Sequence, residues 1–238
     1  MATSMMNIHE QAKSQPSTEL PFRDSERIQQ SFLAGPEKQV LMGMASRLPA
    51  WINSDHLTAL GFIAQVMTGI SYALSRSNRL WLISAIFFLG LNWLGDSLDG
   101  TLARVRNHMR PRYGFYVDHI LDTFGAVFLM AGLAASGYMH PYVATGLLIA
   151  FLLLSVQSYL ATYSLGEFRL SFWKFGPTEL RLLLVIGNLA LFRWPIVLHG
   201  HYRLFDVGGL IGMVGMVAMA VSFTAMNICR LYRQERIP

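Results

Sequence analysis

GDSLDGTLARVRNHMRPRYGFYVDHILDTFG, running from Gly95 to Gly125, carries four aspartates, Asp96, Asp99, Asp118 and Asp122, with an apolar run on either side. Aspartate is among the costliest residues to place in or beside hydrocarbon, at about 2.5–3.5 kcal/mol near a helix centre. Four of them in so short a stretch require something that offsets their charge. What that is depends on where the stretch sits in the chain.

Working outward, six apolar runs emerge: Leu57–Leu74, Leu80–Leu98, Phe115–Ser136, Tyr142–Leu165, Leu180–Leu198 and Val207–Leu231. Each is close to the ~20 residues that cross a bilayer as a helix. The chain is 53% hydrophobic and 14% charged, against about 25% charged for a soluble domain. The expected fold is therefore all-α, a polytopic integral membrane protein with six transmembrane helices spanning residues 57–231. Short connectors make sequence neighbours antiparallel. A single cysteine, Cys229, excludes an internal disulfide framework and a thiolate metal cluster, and the seven histidines show no ligand spacing.

The net charge of +5 reads as loop charge on a membrane protein rather than as a nucleic-acid surface. Arg104, Arg106, Arg110 and Arg112 follow the second run, Arg169 and Lys174 follow the fourth, and Arg230, Arg233 and Arg236 end the chain. The opposite connectors hold Arg76 and Arg79, then none, then Arg193 and Arg203. The positive-inside rule puts the richer side, both termini and the four aspartates at the cytoplasmic face, of the cell inner membrane if the chain is bacterial. Residues 1–35 are polar with no apolar core of a signal peptide, and are expected to form a mobile tail. Pro36–Leu48 places Val40, Leu41, Met44 and Leu48 on one helical face, which suits an amphipathic helix in the membrane interface; a short helix packed on loops is the alternative. Trp51, Trp81, Trp93, Trp173 and Trp194 sit at span ends, where amphipathic rings belong.

Asp96, Asp99 and Ala103 recur at i, i+3, i+7, and Asp118 and Asp122 at i, i+4, so each set forms a stripe on its own helix. Two antiparallel helices with a short connector can turn those stripes together. Unit charges ~5 Å apart repel by roughly 3 kcal/mol at an effective dielectric of 20, so converging carboxylates need cations or protons. Hard divalent ions take oxygen ligands, and a two-metal site suits displacement at phosphorus. Gly100 and Gly114 leave room for a ligand against the backbone, and Arg104 offers a planar donor fork for phosphate. Pairing of the aspartates with nearby arginines at the membrane surface is the structural alternative.

These residues resemble the signature of the CDP-alcohol phosphotransferases of phospholipid synthesis, D-x2-D-G-x2-A-R, eight or nine residues, then G-x3-D-x3-D. Here it runs Asp96, Asp99, Gly100, Ala103, Arg104, then Gly114, Asp118 and Asp122, without departure. The resemblance implies transfer of a substituted phosphate from a CDP-linked alcohol to an acceptor hydroxyl, with release of CMP. It implies two divalent cations, Mg²⁺ or Mn²⁺, at Asp96, Asp99, Asp118 and Asp122, with Asp122 also the general base. It places Asp99, Gly100, Ala103, Arg104 and Gly114 at the cytidine nucleotide, makes one of the two substrates a lipid, and implies a homodimer with no nucleic-acid partner.

The alcohols are less defined. His119, directly after Asp118, and the string Gly176–Glu179 are similar to the branch that transfers from CDP-choline or CDP-ethanolamine to diacylglycerol, which makes that branch the expected one and CDP-diacylglycerol with a soluble alcohol the alternative. Arg112, Lys174 and Arg181 on the same face would instead suit a phosphorylated acceptor, and hence CDP-diacylglycerol as donor with inositol phosphate, glycerol phosphate or serine. Each residue also has a structural reading: His119 as a hydrogen-bonded helix residue, the cations as loop charge, and Glu179 as a first-turn acid behind an N-cap at Thr178. The stretch INSDHLTALG keeps Leu57 and Thr58 but lacks the proline many family members carry before them. A membrane prenyltransferase would hold its two acidic motifs far apart in sequence, and an ion transporter would not need the two glycines and Ala103 at these spacings.

Overall fold

The computed structural model describes residues 26–28, 34–169, 176–197 and 200–235. Seven helices carry the fold: α1 (Ala34–Ala45), α2 (Ser54–Ser75), α3 (Trp81–Val105), α4 (Pro111–Ser136), α5 (Pro141–Leu165), α6 (Pro177–Arg193) and α7 (Leu204–Gln234). Two small sheets join segments between them. β1 (Glu26–Ile28) pairs in parallel with β2 (Glu167–Arg169), and β3 (Ile196–Val197) pairs antiparallel with β4 (Tyr202–Arg203).

Helix starts follow local chemistry. Asn53 caps α2 by accepting the His56 amide at 3.0 Å, and proline opens α4, α5 and α6, where its missing N–H costs nothing. Gly137 and Gly166, at φ +80° and +71°, close α4 and α5 in the left-handed conformation that favours glycine. The N-cap of α6 is Gly176 rather than Thr178. The Glu179 carboxylate accepts the Gly176 amide at 2.9 Å, and Thr178 faces away to donate to Glu37.

Among the described residues, five helices are long and apolar enough to cross a membrane: α2, α3, α4, α5 and α7. The expected fifth run, Leu180–Leu198, is shorter as a helix. α6 has 17 residues and ends at Arg193, just before Trp194 and Pro195, because proline disfavours helix at the residue preceding it. α3 runs seven residues past the expected Leu98 and so carries the whole first half of the acidic signature, while α4 starts at Pro111, ahead of Gly114.

α2 packs most intimately, and glycines explain how. An added Cβ at Gly95 of α3 would lie 2.6 Å from the Gly61 amide nitrogen of α2, and one at Gly132 of α4 would lie 2.0 Å from the Gly69 carbonyl oxygen. Small residues at facing positions let backbones approach where lipid gives no hydrophobic drive. α3 and α4 are thus both drawn onto α2, which brings their aspartate stripes together. One buried cluster, including Tyr72, Leu82, Leu133, Leu191 and Phe205, fills one end of the bundle. A second, Leu41, Ala45, Leu57, Leu98 and Leu102, seats α1 at the other.

The apolar residues of α1 differ in burial. Leu41 and Ala45 are buried on α2 and α3, whereas Val40, Met42 and Met44 point outward. Glu37 accepts three hydrogen bonds at one oxygen: Trp93 Nε1 at 2.8 Å, Ser97 Oγ at 3.0 Å and Thr178 Oγ1 at 2.9 Å. One carboxylate thereby ties α1 to α3 and α6. Arg106 also has a specific task beyond loop charge: its guanidinium donates to the carbonyls of Leu48, Pro49 and Ile52, fixing the α1–α2 connector to the end of α3.

Candidate active site

α2, α3 and α4 form a cleft lined by Thr58, Gly61, Gln65, Asn92 and the four signature aspartates, among others. One carboxylate oxygen each from Asp96, Asp118 and Asp122 lie within 4.8 Å of one another, with Asp96 and Asp118 half-buried and Asp122 exposed. Asp99 lines the same cleft but stands outside that group of three. Its Oδ2 accepts from Thr58 Oγ1 at 2.6 Å, and its Oδ1 accepts the Gly100 amide. The stripes do face each other, with three carboxylates gathered and the fourth beside them.

Three carboxylates this close repel strongly unless cations intervene. Arg181 of α6 supplies one positive charge. Its Nη2 lies 2.6 Å from Asp96 Oδ2 and its Nε donates to Asn92 Oδ1 at 2.7 Å, while Asn92 Nδ2 donates to the Gly61 carbonyl at 3.0 Å. That guanidinium pairs with one of the four carboxylates that line the cleft. The carboxylate donors are all hard oxygens, the set that fits Mg²⁺ or Mn²⁺. Asp96, Asp118 and Asp122 would hold such an ion, with Asp99 within the same cleft.

The glycines of the signature behave differently from those of the helix crossings. An added Cβ at Gly100 or Gly114 would meet nothing within 4 Å. Protein packing therefore does not require glycine there, and open space remains beside the backbone. Arg104 is exposed at the end of α3, with Nη2 3.2 Å from Thr101 Oγ1, and Ala103 is half-buried one residue before it.

The remaining candidates separate. His119 packs between α4 and α5: its Nδ1 lies 2.6 Å from the Phe115 carbonyl, its ring stacks on Phe115 at 4.1 Å, and Tyr159 meets its ring edge-on at 5.1 Å. Glu179 is buried and caps α6. Neither is among the residues that line the cleft. Arg112 is exposed in the first turn of α4, and Lys174 lies outside the described residues. Sequence reading gave no role to Asn92 and Gln65, which line the cleft. A weak signal was there: Asn92 stands four residues before Asp96, and Gln65 is a lone amide inside an apolar run.

A mainly helical chain with five candidate membrane spans, and an acidic cleft between the first three, is the build of an integral membrane protein. The chain belongs to the CDP-alcohol phosphatidyltransferase family, which it matches over residues 51–226. That family consists of membrane transferases of phospholipid synthesis that act on a CDP-alcohol and an alcohol acceptor and are generally dependent on divalent metal. Comparison with curated proteins gives no match.

Proposed function

We propose that this chain transfers a substituted phosphate from a CDP-alcohol to an acceptor hydroxyl and releases CMP, at a site that holds two divalent cations. The observation that carries the reading is the approach of Asp96, Asp118 and Asp122 within 4.8 Å, in a signature whose two glycines face open space. The cations would neutralise the phosphate oxygens in the transition state. Asp96, Asp99 and Asp118 hold metal. Asp122, the most exposed of the cluster, holds metal and takes the proton of the acceptor hydroxyl. Gly100, Gly114, Ala103 and Arg104 form the nucleotide side of the cleft. α6, at 17 residues, is the fifth of six spans, short and at the lower limit of bilayer-crossing length. The arginine-rich connector between α3 and α4 faces the cytoplasm.

On the alcohols, Arg181 is the informative residue. The two features that favour CDP-choline or CDP-ethanolamine, His119 and Glu179, are each engaged in packing or capping. A guanidinium on Asp96 disfavours a quaternary or primary ammonium head group nearby and suits a second phosphate. The favoured pair is CDP-diacylglycerol with a soluble phosphorylated alcohol. The test is purified protein in lipid, assayed for CMP with CDP-diacylglycerol, CDP-choline or CDP-ethanolamine against glycerol 3-phosphate, inositol phosphate, serine or diacylglycerol, with products identified by mass spectrometry. CMP only from CDP-choline or CDP-ethanolamine would restore the other branch, and no CMP from any combination would remove the reaction class.

Arg181→Met gives a second expected result. Loss of a positive charge in hydrogen-bond contact with Asp96 should tighten Mn²⁺ binding by several-fold, since metal no longer competes with the guanidinium. The same change should raise the KM of the phosphorylated acceptor about tenfold or more, as a charge-assisted hydrogen bond is lost. Mn²⁺ electron paramagnetic resonance and initial rates read the two effects separately.

A further inference from the structure

The cleft contains a polar atom with no hydrogen-bond partner among the described residues. Gln65 Oε1 is buried and accepts from nothing among the described residues, although the side chain lines the same cleft as the four aspartates. An amide oxygen can only accept a hydrogen bond, so a donor that enters with substrate would satisfy it. The amide is also seated deliberately. Gly125 lies on the Asp118–Asp122 stripe of α4, and a Cβ there would stand 2.8 Å from Gln65 Cγ. The stem of Gln65 therefore occupies the space that the missing side chain leaves.

Position along the helices says which donor. Thr58, Gly100 and Gly114 lie toward the Arg106–Arg110 connector, where Arg106 ties α3 to residues 48–52 and Arg110 pairs with Asp55. Gln65 is seven residues further along α2 than Thr58, or ~10 Å at 1.5 Å per residue. Asn92 and Asp122 are likewise the cleft residues farthest from that connector on α3 and α4. Displacement at phosphorus brings the attacking oxygen in opposite the leaving group. With CMP leaving on the glycine side, the acceptor hydroxyl arrives on the side of Gln65 and Asp122.

We infer that Gln65 is a positioning and specificity residue for the acceptor alcohol, its Oε1 accepting a hydrogen bond from an acceptor hydroxyl beside Asp122. The inference rests on the phosphotransfer reading proposed above. In the step itself the hydroxyl oxygen forms a bond to the β-phosphorus, the bond from that phosphorus to the CMP oxygen breaks, and the proton goes to Asp122. When water takes the place of the alcohol, the products are CMP and the phosphorylated donor alcohol, so transfer and hydrolysis compete at one centre.

Two variants test this without altering an aspartate: Gln65→Met, which keeps the volume and removes the acceptor, and Gly125→Ala, which pushes the Gln65 stem aside. The wild-type chain is first run through the donor and acceptor panel, which settles the phosphotransfer reading by itself. The pair giving most CMP is then used for both variants, with Mn²⁺ binding followed by paramagnetic resonance. Expected are a roughly tenfold fall in transfer at sub-saturating acceptor, a larger hydrolysed share of the donor, and unchanged donor KM and Mn²⁺ binding. Gln65→Met should keep or raise the Tm of the ligand-free protein, because an unpaired buried acceptor is removed. A shift in Mn²⁺ binding in place of acceptor KM would assign the amide to the metal and overturn the inference. Wild-type kinetics in both variants would overturn it too.

Discussion

Replacing Asp122 by asparagine is expected to lower CMP release about a thousandfold or more while leaving the protein folded and able to bind the CDP-alcohol. Asparagine keeps the shape and one oxygen donor of the carboxylate, so the cluster with Asp96 and Asp118 retains a neutral ligand in place of a charged one. What it cannot do is take a proton. Loss of a positioned general base costs about 10²–10⁴-fold, and a weakened metal ligand adds to that. Asp118→Asn supplies the comparison. It removes charge from the same cluster but no proposed base, so raising Mn²⁺ concentration should recover much of its rate and little of the rate of Asp122→Asn. Initial rates across a Mn²⁺ titration, with donor binding read as a ligand-dependent rise in Tm, distinguish the two roles. If Asp122→Asn turns over at a rate near wild type, Asp122 is not the base. If excess Mn²⁺ rescues it as fully as Asp118→Asn, its role is metal binding alone.

Much of this arrangement was legible before any coordinates. Five of the apolar runs appear as helices long enough to span, because a continuous hydrophobic run of that length has few other stable solutions. The spacing of Asp96 to Asp99 and of Asp118 to Asp122 gave two stripes, since helical periodicity alone decides which residues share a face. Family membership followed from the same spacings. The remainder depended on which helix lies against which, and sequence spacing carries no such information. Arg181 reaches Asp96 across 85 positions, and Thr178 reaches Glu37 across 141; nothing local to these residues names the partner. Gln65 and Gly125 have meaning only as a pair. The cap of α6 moved from Thr178 to Gly176 because Pro177 opens the helix ahead of Thr178 while Glu179 returns to the Gly176 amide. The apolar residues of α1 differ in burial because α2 and α3 supply a buried surface for Leu41 and Ala45 and leave Val40, Met42 and Met44 exposed.

The crossing of α2 and α3 yields the second large expected effect, from the mildest substitution available. Gly95→Ala adds one methyl group at a point where Cβ would lie 2.6 Å from the Gly61 nitrogen and 2.7 Å from both Gly61 Cα and the Leu57 carbonyl oxygen. Nonbonded heavy atoms prefer about 3.5–4.0 Å, and all three neighbours are backbone, so no rotamer change relieves the clash. The helices must part by about 1 Å. Asp96 is the next residue, and three cleft contacts span the same crossing: Thr58 to Asp99 at 2.6 Å, Asn92 to the Gly61 carbonyl at 3.0 Å, and through Asn92 the seat of Arg181. A misplacement of about 1 Å can cost roughly 100-fold in rate, and that is the expected loss of CMP release per folded molecule, together with a lower Tm. Gly132→Ala separates packing from catalysis. Its Cβ would meet the Gly69 carbonyl at 2.0 Å, a worse clash, but ten residues beyond Asp122, or ~15 Å along α4. Gly132→Ala should therefore lose more folded protein and less specific activity than Gly95→Ala, measured by detergent-resistant Tm and by rate normalised to the folded fraction. Equal specific activity in the two variants would mean that the α2–α3 crossing supports the bundle without setting the geometry of the carboxylates.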